Sequence, residues 1–133
     1  MNKPGQKRSL ARETVFKYLF ARNFNGEDAK LYRILSEEAG LSGESKNFSD
    51  ALLKSVLSHY DEIINKVENI VEGYKINRIY TADKCALIMA IAEFTYFDTP
   101  KPVVIDEVVS LASTYSTEKS SDFVNGVLAK YLK

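Results

Sequence analysis

A chain of 133 residues with 45% hydrophobic and 27% charged residues has an ordinary globular composition and the length of one domain, expected to span residues 1–133 around a single core. Cys85 has no second cysteine to pair with, so neither an internal disulfide nor a thiolate metal site is expected; no cofactor is indicated. The opening MNKPGQKRSLARE leads into no apolar signal region and no run approaches 18 apolar residues, which points to a cytoplasmic protein with no membrane partner.

Apolar residues recur at three and four positions nearly everywhere, and no period-2 run is bounded by turn residues, so an all-α fold of six or seven helices is expected. A first helix is read over 7–24, with Arg8, Arg12, Phe16 and Phe20 at four-residue steps; residues 1–6 are read as a mobile basic arm. Asn25-Gly26 ends it. A second helix over 27–39 closes at Gly40, a residue suited to the left-handed position after a helix. Residues 45–74 carry a long pattern whose offset near 58–61 suggests two helices meeting at a bend.

The most apolar element, 82–97, is expected to be the central buried helix, with Asp83 in its first turn complementing the helix dipole. Pro100 and Pro102 are expected to stop it. A sixth helix follows over 103–115, and a seventh runs to Leu132 from Thr117 as its N-cap.

Eighteen Lys and Arg balance eighteen Asp and Glu, and a net charge of zero argues at first against a nucleic-acid partner. The charge is not evenly spread. Residues 1–22 hold Lys3, Lys7, Arg8, Arg12, Lys17 and Arg22 against Glu13 alone, so a +5 end is joined to a −5 remainder. Such a basic end suits a phosphate backbone, where arginine adds a planar fork and a face that stacks on bases, and from charge alone it is equally read as a solvated helix face.

Catalysis finds little support in the sequence. Asp106 and Glu107 are neighbours on a helix and diverge by about 100°, His59 has only Asp61 and Glu62 nearby, and no glycine-rich nucleotide loop is present. A non-enzymatic binding protein is the reading. The polar stretch from Ser116 to Asp122, ahead of Phe123, offers a second place for phosphate at a helix start, although taken alone plain capping is the better account of it.

Four segments, in order, resemble the NusB family. They are RSLARETVFKYL at 8–19; Arg78-Ile79 through Glu93 with Asp83, Lys84, Leu87 and Ala90 in place; PVVIDEV at 102–108; and DFVNGVL at 122–128. The resemblance implies two packed helical bundles and binding of boxA-type RNA together with ribosomal protein S-ten (NusE), within an RNA polymerase antitermination complex. It implies that Lys7, Arg8 and Arg12 hold RNA phosphates, with Lys3 preceding them, and that Tyr115, Lys119 and Phe123 line the adjoining RNA surface. Phe20 and Asp83 would face the ribosomal protein, and Gly126 would permit close helix packing.

Ile88 and Pro102 stand where the family often has basic residues, Asp106 where it has Asn, and Ser116 where it has Gly. The loss of two positive charges points to a weaker or shifted RNA contact, which Lys119 offsets in part. Two other readings stay open: a helical protein–protein adaptor without specific RNA binding, and an RNA-binding domain like those of RNA methyltransferases. A homodimer that hides the RNA face is left open as well.

Overall fold

The computed structural model describes residues 4–71 and 79–133, with side chains from residue 7 onward. Seven helices and no strand occur among the described residues: α1 Pro4–Asn25, α2 Ala29–Glu38, α3 Gly43–Ser58, α4 Tyr60–Ile70, α5 Thr81–Tyr96, α6 Lys101–Tyr115 and α7 Ser120–Tyr131. The all-α expectation holds. The chain forms two compact units divided between Lys54 and Ser55, within α3. Among the described residues no helix is long and apolar enough to cross a membrane.

In the first unit, α1 starts earlier than its apolar stripe because Pro4 is pre-set for a first helical turn and has no N–H to satisfy there. Pro4–Gln6 form its first turn, while Met1–Lys3 lie outside the described residues. Ala11, Val15, Phe16, Tyr18 and Leu19 form its buried face. Gly26, at φ 81°, turns the chain where an L side chain would be strained, and Asp28 then caps α2 by accepting the Leu31 N–H at 3.1 Å. The Asp28 N–H donates to the Tyr18 hydroxyl at 3.0 Å, and Tyr18 meets Tyr32 of α2 edge to face. Gly40, at φ 71°, follows α2 in the left-handed conformation expected of it.

α3 opens on a local turn in which the Ser45 hydroxyl accepts the Ser42 N–H at 3.1 Å and donates to the Ser42 carbonyl at 2.9 Å. The expected bend falls at His59, between α3 and α4, in the second unit. Its Nδ1 lies 3.1 Å from the Ser55 carbonyl and its ring stacks on Tyr96 with centroids 4.3 Å apart.

α5 is the buried centre of the second unit and packs against α4, α6 and α7. Between Ala82 and Glu93 only Lys84 escapes burial, so this helix shows almost no polar face. Ile88 is among its fully buried residues, which accounts for an apolar side chain there. The prolines act differently from expectation. α5 ends at Tyr96 ahead of both; Pro100 caps α6 and Pro102 lies in its first turn, where a missing N–H costs nothing. The start of α7 also differs: the helix begins at Ser120, not after Thr117. The Ser120 hydroxyl turns back to accept the Thr117 N–H at 3.1 Å, and the Thr117 hydroxyl meets that of Ser120, so Thr117 shapes the turn before the helix instead of capping it. Gly126 is exposed, and among the described residues a Cβ there would meet nothing within 4 Å, so no close packing against them calls for glycine.

Burial pushes the Cys85 thiol up to about 12, with Lys84 opposing weakly. The raised value keeps the sulfur protonated and unreactive through neutral and mildly alkaline pH. Native protein at pH 8 is therefore expected to resist iodoacetamide and to be alkylated at Cys85 only in denaturant, as intact-mass measurement will show.

Candidate nucleic-acid interface

Arg8 and Arg12 lie one turn apart on α1, and Glu44 and Phe48 lie one turn apart on α3. The matched spacing sets two arginines against one aromatic ring. The Arg8 guanidinium carbon sits 4.4 Å from the Phe48 ring centroid and that of Arg12 sits 5.0 Å from it. These are cation–π contacts, strongest where water is excluded.

The two arginines are not equivalent. Arg8 donates from Nε to Glu44 Oε1 at 2.8 Å, and its Nη2 pairs with the same oxygen; its side chain remains 42% exposed. Arg12 is 2% exposed and is engaged further within the protein. Lys7 is exposed on the preceding position. The expected phosphate-binding set thus resolves into a surface pair, Lys7 and Arg8, and a buried Arg12 beneath; Lys3 lies outside the described residues. Sequence reasoning misses Glu44 and Phe48 as site residues. Their four-residue spacing, equal to that of Arg8 and Arg12, is the available signal.

On the same helix Phe20 and Phe24 are both exposed, Phe24 at 63%, and meet edge to face with centroids 5.2 Å apart. They form an exposed apolar pair near the end of α1.

In the second unit, Asp83, Lys119 and Phe123 come together. With Ile79, Tyr80, Thr117 and Ser120 they line a cavity of about 140 Å³ between the starts of α5 and α7. Asp83, expected on a protein-facing side, shares this cavity with two residues expected at RNA. It is 3% exposed, and its Oδ1 has no hydrogen-bond partner among the described residues. Tyr115 is exposed at the end of α6 and is not part of the lining. Sequence reasoning includes Ser120 only within the polar stretch from Ser116 to Asp122 and misses Tyr80, because the cavity exists only once α5 and α7 have packed.

The family model described as the NusB family matches residues 9–133. The chain is 30% identical to the transcription antitermination protein NusB of Finegoldia magna over 95% of its own length and 93% of that protein's. It is 34% identical to NusB of Methylacidiphilum infernorum, covering 95% and 90% of the two chains. Among solved structures, NusB of T. maritima superposes with a TM-score of 0.84 at 31% identity, covering 98% of this chain and 92% of that one. A crystal structure of antitermination factors NusB and NusE in complex with dsRNA gives a TM-score of 0.83 at 29% identity, covering 96% and 97%. With one family matched along nearly all of its length in both sequence and fold, this chain belongs to the NusB family.

Proposed function

We propose that this protein is a cytoplasmic, non-enzymatic transcription antitermination factor that binds boxA-type RNA together with the ribosomal protein S-ten (NusE). The observation that carries the reading is the part-exposed Arg8 guanidinium, held over the Phe48 ring beside Lys7 at the basic end of an otherwise acidic chain. A guanidinium oriented in advance loses little freedom when it binds phosphate, and its fork binds two oxygens at once. Similarity to a NusB seen with NusE and RNA supports the same partners here. Phe20 and Phe24 supply an apolar contact for the protein partner, and the −5 remainder of the chain favours a basic one.

Arg12 fixes Phe48 from below, so its part in binding is to position the ring on which Arg8 rests. Glu44 holds Arg8 until phosphate replaces it. Glu44→Gln is expected to raise RNA affinity by up to about fivefold, the ceiling set by an exposed ion pair, in fluorescence anisotropy. The proposal as a whole is tested by native gel electrophoresis of labelled boxA RNA with this protein, with NusE, and with both. A slower ternary band is expected at protein concentrations where neither protein alone shifts the RNA; additive, independent shifts would overturn the reading.

A further inference from the structure

Glu44 and Phe48, the α3 residues that hold Arg8, lie on one flank of that helix's buried face. Lys46 and Asp50 lie on the other flank, because successive helical residues turn by about 100°. This second flank is tied to α2 through one side chain. The Tyr32 hydroxyl donates to Asp50 Oδ1 at 2.8 Å, and since its single proton is used there, the Ser49 hydroxyl, 2.6 Å away, donates to it in turn. Lys46 completes the group: its Nζ donates to both Asp50 oxygens, at 2.6 and 2.7 Å, and lies 5.5 Å from the Tyr32 ring centroid.

Among the described residues α3 makes no extended close backbone approach to α1 or α2, so side chains set its rotation about its own axis. Apolar contacts such as those of buried Leu52 have no preferred direction and tolerate a small rotation, whereas hydrogen bonds to a fixed hydroxyl do not. A rotation of about 20° carries a group at the helix rim, about 5–6 Å from the axis, through roughly 2 Å. From its present 4.4 Å, the Phe48 ring would then reach the limit of about 6 Å for a cation–π contact with Arg8.

We propose that Tyr32 is a positioning residue for RNA binding: by holding Ser49 and Asp50 it fixes the rotation of α3 that seats Phe48 against the Arg8 guanidinium. The inference rests on the function proposed above, in which Arg8 meets phosphate, and adds a residue on another helix that acts without touching RNA. Burial pushes the Tyr32 hydroxyl up to about 12; Ser49 opposes the shift and the Asp50 carboxylate reinforces it. The donor to Asp50 therefore keeps its proton throughout the neutral range.

Tyr32→Phe removes the hydroxyl alone and keeps the ring, with its edge-to-face contact to Tyr18. The test is a double-mutant cycle on the full-length protein. Affinity for boxA-type RNA is measured by fluorescence anisotropy for wild type, Tyr32→Phe, Arg8→Ala and the double variant, at a temperature where circular dichroism shows all four folded. Tyr32→Phe is expected to bind about threefold more weakly than wild type and to change nothing where Arg8 is already alanine. Asp50→Ala, which removes the acceptor instead, is expected to repeat that pattern and takes the place of Tyr32→Phe if that variant does not fold. An equal loss in both backgrounds would show a general effect on the fold and overturn the positioning role, as would undiminished binding by Tyr32→Phe; either result leaves the proposed function standing. A wild type that binds RNA no better than Arg8→Ala would overturn the docking at Arg8 and this inference with it.

Discussion

Arg12→Ala is expected to destabilise the protein by about 3 kcal/mol, whereas Arg8→Ala costs less than about 1 kcal/mol. The difference comes from burial. Arg12 is 2% exposed and lies against Phe48, so its removal leaves a cavity and deprives the ring of a cation that water does not screen. Arg8 makes an exposed ion pair and reaches the Phe48 ring from the solvent side of a 42% exposed side chain, each a small contribution. Thermal unfolding at neutral pH checks the pair: the Arg12 variant should melt roughly 10 °C lower, while the Arg8 variant should stay within a few degrees of wild type. Equal shifts would mean that the buried guanidinium is no more important to the fold than the exposed one.

The second large effect is on RNA. Lys7→Ala combined with Arg8→Ala is expected to weaken binding at least tenfold in low salt without unfolding the protein, since both side chains are at the surface. Removing each phosphate-binding cation should also reduce the slope of log affinity against log salt by roughly 0.7 for a single strand, or about 1.4 for the pair. Anisotropy titrations at three salt concentrations measure both quantities. An unchanged slope would place the phosphate-binding groups elsewhere on the protein.

The helices are legible because burial leaves a period in the sequence. The four-residue steps of α1 through Phe16 and the nearly continuous apolar run of α5 each announce their element, although Phe20 at the end of the α1 steps is exposed. Helix starts are harder to read. Pro102 and Thr117 have ordinary roles at either end of a connection, and only the hydrogen bonds formed by neighbours such as Ser120 decide which role each takes.

The candidate site is legible as charge and not as geometry. The basic count over residues 1–22 marks the end of the chain that offers cations, but it does not separate exposed Arg8 from buried Arg12. That distinction depends on α3 placing Glu44 and Phe48 opposite them. Asp83 is likewise visible as a first-turn helix acid. Its burial beside Tyr80, Ser120 and Phe123, with no partner for Oδ1 among the described residues, emerges only from the packing of α5 and α7. The zero net charge, which reads against nucleic acid when taken whole, divides into a basic end and an acidic remainder that suit different partners.

The most direct measurement of the central claim is a titration of boxA-type RNA and of a scrambled RNA of the same composition, each with and without NusE, at fixed salt. Tighter binding of the boxA-type strand, with the preference widening when NusE is present, is the predicted result. Equal affinity for the two strands in both conditions would contradict it.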